Sequence, residues 1–179
     1  MATIPVMATI AAGAKTLASW GNSVRDAINF LLGPPTAMCT NTAGTSLTTG
    51  TMTLIPMATE NFDNDTMHDP TTNNSRMVFK TAGFYLVVCK LGFSANATGR
   101  RICAVRLNAA GSSSGGTFVV DAVTAPAPVG NTTTEVSFCQ SFAANDYIEV
   151  FGQQDSGGNL ALATGSTVYN SIFARFLAQ

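Results

Sequence analysis

The stretch Gly83–Ser94, GFYLVVCKLGFS, decides how this chain folds. Tyr85, Val87, Cys89, Leu91 and Phe93 fall on alternate positions, the period of a β-strand that buries one face. Phe84, Leu86 and Val88 occupy the intervening positions. The first half of the strand is therefore apolar on both faces. One sandwich interior accounts for one face only. Ala82-Gly83 supplies the turn into the strand.

The same texture continues on both sides. Downstream, Arg101, Cys103, Val105 and Leu107 alternate with Ile102, Ala104, Arg106 and Asn108. A Gly/Ser run at 111–116 reads as a loop. Thr117–Thr124 is a further strand, stopped by Pro126 and Pro128. Thr134, Val136, Phe138, Gln140 and Phe142 alternate next. Ala143-Ala144-Asn145-Asp146 is a turn, Tyr147–Gln153 a strand and Gly157-Gly158 another turn. Val168–Leu177 closes the chain, apolar on both faces through Ile172, Phe173, Phe176 and Leu177. Upstream, Met77–Lys80 is a short apolar strand, 58–75 a long polar loop, Leu47–Met57 an edge strand or strand-like loop, and Thr36–Thr40 the first strand. Eight to ten short strands between turn clusters predict an all-β fold, an antiparallel jelly-roll sandwich over 36–179.

The opening 35 residues differ. Residues 1–15 have no period. Leu17, Trp20, Val24, Ile28 and Leu31 then recur at spacings of three and four, one face of a helix over about 16–32. Thr16 or Ser19 caps its start. Gly33-Pro34-Pro35 ends it. A single amphipathic helix does not bury its face alone. These five residues are expected to anchor the chain to something else.

Composition narrows the function. The 179 residues are 46% hydrophobic, with mean hydropathy +0.23, which excludes a disordered chain. Only 11% are charged and the net charge is −1. That is less than half the roughly 25% charge of an ordinary domain. No basic footprint for nucleic acid exists, and no apolar run is long enough for a membrane helix. A surface of Thr, Ser, Asn and Gly repels its neighbours weakly, as suits a subunit partly covered by others. The segment 4–14 lacks the basic flank of a signal peptide. Cys39, Cys89, Cys103 and Cys139 have no C-x-x-C spacing and read as small buried apolar side chains in a reducing cytosol.

Signals for chemistry are sparse. His68 is the single histidine; adjacent Asp69 and nearby Ser75 do not orient one another as a triad does, so it reads as a solvated loop histidine. Glu60, Asp63, Asp65 and Asp69 form an acidic loop. His68 and Asn74 stand where a calcium loop needs Gly and Glu, which excludes an EF-hand. A solvated loop and an irregular calcium site remain the two readings. Arg100 and Arg106 lie across the sheet from Arg101. They form either an ion pair at an interface or a charged surface strand that blunts edge pairing. No catalytic, cofactor or metal residue is assigned, and no enzyme is expected.

Six segments carry a likeness to known proteins. Gly83-Phe84-Tyr85-Leu86-Val87, Asp146-Tyr147-Ile148-Glu149-Val150 and Ser171-Ile172-Phe173-Ala174-Arg175-Phe176-Leu177 resemble the strands of C1q and tumour-necrosis-factor jelly rolls. The passage FSANATGRR at 93–101, the Ser156-Gly157-Gly158 turn and the leader from Trp20-Gly21 to Pro34-Pro35 resemble structural proteins of tailed bacteriophages. Together the likenesses cover about 150 residues, and each motif is one of pattern rather than chemistry. The resemblance implies a homotrimer packed about a threefold axis. We expect Phe84, Leu86, Val88, Phe173 and Leu177 at the trimer interface. We expect the helix face to seat on other virion proteins, the major capsid protein first among them. The chain would then be made in the host bacterial cytoplasm and reside in the virion. A leader too short for a fibre shaft favours capsid decoration of the head-fibre kind. A receptor-binding or minor tail protein, meeting a host surface receptor, is the alternative.

Overall fold

In the computed structural model, residues 18–165 and 170–179 are described. Two antiparallel sheets face each other. The first is ordered β4 (Thr59–Asp63), β1 (Thr36–Thr40), β12 (Ser171–Ala178), β6 (Gly83–Phe93), β9 (Thr132–Phe142). The second is ordered β3 (Thr53–Leu54), β10 (Tyr147–Gln154), β7 (Arg101–Leu107), β8 (Thr117–Thr124), with β5 (Arg76–Val78) also paired to β10. A small pair joins β2 (Ser46–Leu47) to β11 (Leu160–Ala161). One helix, α1 (Ala18–Leu32), precedes the sandwich. The strand order, with first and last strands adjacent at the middle of one sheet, is that of a jelly roll.

The alternation in β6 sets the core. Tyr85, Val87, Cys89, Leu91 and Phe93 are all fully buried between the sheets. They meet Ala37 and Cys39 of β1, Ile172, Ala174 and Phe176 of β12, and Val105, Ile148 and Val150 from the second sheet. An aromatic stack closes one end. Phe79 lies 3.7 Å from Phe142, nearly parallel, and 4.7 Å from Tyr85. The Tyr85 hydroxyl donates to the Thr81 carbonyl at 2.7 Å, which satisfies its one polar atom. Gly83 opens the strand at φ +151, where a Cβ would overlap the Phe176 ring and the Ala178 carbonyl.

Several expectations need correction. The supposed polar loop 58–75 contains β4, which pairs with β1 through backbone hydrogen bonds despite its polar sequence. Leu47–Met57 is not one strand: β2 and β3 join different sheets. Ile55 and Met57 are fully buried, whereas Met52 and Leu54 pack on the outer side of the second sheet. Strand β12 begins at Ser171, and the expected start at Val168 lies outside the described residues. Arg101 is not on the surface. Its guanidinium is buried, donating to the Asn96, Thr98 and Arg100 carbonyls at 2.8–3.1 Å. Three of the four cysteines are buried and Cys139 is exposed. The helix runs 18–32, close to expectation; Leu17 lies outside the described residues.

Candidate functional site

The feature of β6 that one sandwich leaves unexplained is its second apolar face. Strand pairing places Phe62, Met38, Phe173, Val88 and Ser137 in one row across the outer side of the first sheet. The Phe62 and Phe173 rings meet edge-on at 6.4 Å. Thr36, Arg175, Leu86 and Cys139 form a parallel row. On the far side an ion pair, Lys90 to Glu135 at 2.9 Å, borders the patch. Phe84 and Leu177 stand half exposed, at 49% and 52%, and Leu86, Val88 and Phe173 are partly exposed. All five residues expected at an interface therefore share one outer face. Met38 and Phe62 belong to it too. Phe62 was missed because β4 was read as loop, with a single Phe as its sequence signal; Met38 lies in β1, which was read as a strand, but its pairing beside Phe173 is long-range.

The helix behaves otherwise than a docked element. None of its residues is buried. Its end leans on the sandwich through Phe30, whose ring meets Phe176 edge-on at 5.1 Å. Ala27, Phe30 and Leu31 line a cleft against Phe176, Leu177 and Ala178. Phe30 lies off the expected anchoring face. On that face Trp20 and Val24 are partly exposed, and Ile28 and Leu31 are exposed, Leu31 at 77%.

The acidic residues serve the backbone. Asp63 accepts from the Asp65 and His68 amides at 2.9 and 2.8 Å. Asp65 accepts from the Thr81 hydroxyl at 2.9 Å. Asp69 accepts from the Thr71 and Thr72 amides, and these bonds hold its carboxyl down to about 2. No group of three metal-ligating side chains occurs among the described residues. His68 is not solvated: its side chain is buried, with Nε2 3.2 Å from the Asn74 carbonyl and Nδ1 3.8 Å from Glu60. Arg100 pairs with Asp155 at 3.1 Å within the chain. Arg106 donates to the Gly115 carbonyl at 2.7 Å.

With this geometry in hand, comparison is informative at the level of structure only. No family model matches the sequence, and no curated protein does. Solved structures do match. Murine APRIL superposes with a TM-score of 0.61 at 10% identity, covering 80% of this chain and 98% of that one. The globular domain of zebrafish complement 1qA protein superposes with a TM-score of 0.55 at 8% identity, covering 81% and 98%. The fold is a C1q/TNF-like jelly roll. The expected fold class is therefore correct. At such identities the likeness extends to architecture and not to function.

Proposed function

We propose that this protein is a non-enzymatic structural subunit that assembles as a homotrimer through the outer face of the β4–β1–β12–β6–β9 sheet. One observation carries the reading: the apolar row Phe62, Met38, Phe173 and Val88, with Phe84 and Leu177 beside it, stands on a finished sandwich. Contiguous apolar patches of this kind mark interaction sites. Burying them yields about 25 cal/mol per Å² before ordering costs. Low charge, with only 11% of residues charged, supports the same reading. Light scattering tests it. Particles of three times 18.5 kDa are expected, and a clean 18.5 kDa monomer at micromolar concentration overturns it.

The leader likeness to phage structural proteins extends the proposal to placement. We place the trimer on a bacteriophage capsid as a decoration subunit, seated through the helix face of Trp20, Val24 and Ile28, with Leu31 at its border with the sandwich. Trp20→Ala, or deletion of 1–32, then releases the trimer from particles while the jelly roll stays folded. Copy number in purified virions decides the location. Hundreds of copies support decoration; a handful of trimers moves the protein to the tail.

A further inference from the structure

A second feature lies away from the assembly face. The loop 66–73, β5 and the β9–β10 turn enclose an open pocket of about 620 Å³, within the usual range for small-ligand sites. Five non-glycine residues of the described chain adopt left-handed backbone, and three of them line this pocket: Thr66 at φ +54, Asn73 at +53 and Asn145 at +71. Asn tolerates that region. For β-branched Thr it is a true outlier, costly wherever it occurs. Glycine would relieve the cost at all three positions. Such strain concentrates at ligand clamps. Asn73 and Asn145 adopt left-handed backbone within hydrogen-bonded turns, and the Thr66 hydroxyl donates to the Asp65 carbonyl at 2.7 Å, so the outlier that turn chemistry leaves over is Thr66.

The chemistry of the lining selects a ligand class. Asn73 and Asn145 are exposed and present amides that both donate and accept. Lys80 has no carboxylate within 4 Å among the described residues, and Asp69 uses Oδ1 for its bonds to Thr71 and Thr72. Arg76 is neutralised by buried Glu149 at 3.1 Å and stacks 4.3 Å over the Tyr147 ring. What remains is one partly exposed cation, Lys80, and one exposed anion, Asp69, with no excess of either sign to favour phosphate or nucleic acid. A polyhydroxylated ring fits such a mixture. Each hydroxyl donates and accepts, and its C–H faces rest on apolar edges such as Pro70 and Val78.

We propose that this pocket binds a neutral saccharide, one or two sugar units of a larger glycan, held by Asn73, Asn145, Thr66, Asp69 and Lys80. The site is complete within one chain, so its test is independent of trimer assembly or virion placement. The full-length protein is titrated calorimetrically with neutral hexose and N-acetylhexosamine oligosaccharides, alongside inorganic phosphate and oligoglucuronate. Saturable binding of a neutral oligosaccharide is expected. Thr66→Gly, Asn73→Gly and Asn145→Gly keep the backbone and delete the side chains. Each should raise the melting temperature while weakening that binding tenfold or more, a combination that a purely structural role does not produce. Absence of binding to any neutral oligosaccharide, binding confined to phosphate or oligoglucuronate, or binding unchanged in the three glycine variants overturns the proposal.

Discussion

The two sheets of this sandwich share a core but finish their outer faces differently. Outside the second sheet, Ile102, Ala104 and Phe151 are covered by the chain itself, through Met52, Leu54 and Ala109. Beside them Glu149 is buried at 1% exposure, bonded to Arg76, Ser75 and the Gly111 amide. Outside the first sheet, Phe62, Met38, Phe173 and Val88 form an apolar row that stays partly open. Strand β10 is buried on both faces by its own molecule. Strand β6 is buried on one. The covering of the second sheet is confined to β10 and β7: on its edge strand β8, Phe118 and Val123 are exposed at 52% and 55%. The contrast therefore lies between the middle of the second sheet, which the chain covers itself, and the middle of the first, which it leaves partly open.

Substitutions on the covered face should act on folding alone. Phe151→Ala, at 1% exposure, is expected to cost about 3–5 kcal/mol in denaturant unfolding, with the oligomer mass unchanged. An equal cost from Phe173→Ala would erase the contrast between the faces. Glu149→Ala should cost less, about 2–3 kcal/mol, because it strands the Ser75 hydroxyl and the Gly111 amide, each within 3.3 Å of the carboxylate. Arg76, a quarter exposed, recovers water as compensation. Urea melts at constant protein concentration measure both effects.

On the open face the same size of change should leave the fold and remove the assembly. Phe173→Asp puts a charge in the middle of the apolar row, where an interface would bury it without a partner. The expected result is a folded monomer, with the association constant reduced a hundredfold or more in sedimentation and the unfolding free energy of the monomer altered by less than about 1 kcal/mol. A Phe173→Asp protein that remains a trimer would show that subunits meet elsewhere.

The covered and open faces were not equally legible in the sequence. Alternation in β6 identified the inner residues Tyr85 to Phe93 and the outer residues Phe84, Leu86 and Val88, because a strand's side-chain period does not depend on what it pairs with. Strand β4 gave no such signal. Thr59, Glu60, Asn61 and Asp63 are held by backbone pairing to β1 at a sheet edge, and that partner is remote in sequence. Burial of Arg101 was legible only in part: alternation set it on the face of Cys103 and Val105, but nothing announced partners for its charge. It depends on three carbonyls in the 96–100 turn pointing inward, a geometry that no residue type in that turn announces. For His68 the burying groups come from β4 and the Asn74 carbonyl, so misreading the strand entailed misreading the histidine. The helix was placed to within two residues, yet its contact with Phe176 runs through Phe30, outside the stripe that periodicity marks.

The smallest effect is also the one that reports on both faces together. Cys139 is exposed on β9, in the row of Leu86 and Arg175, while Cys39, Cys89 and Cys103 are buried. Burial pushes the Cys39 and Cys103 thiols up to about 12 and raises Cys89 as well, so none of the three supplies thiolate near neutrality. A disulfide reagent at pH 8 should therefore label one thiol per native chain, and four after denaturation. If subunits meet on the open face, labelling of Cys139 should slow severalfold as protein concentration rises, and the Phe173→Asp variant should lose that dependence. The buried thiols give a second check through pH. Their folded values lie above the unfolded value of about 9. Between about pH 9 and 12 the unfolded chain loses protons that the folded chain retains, so stability holds below 9 and falls as pH climbs toward 12. Cys39→Ala and Cys103→Ala should each flatten that decline in alkaline melts. A decline that neither substitution changes would mean that the burial of these two thiols inside the sandwich does not set it.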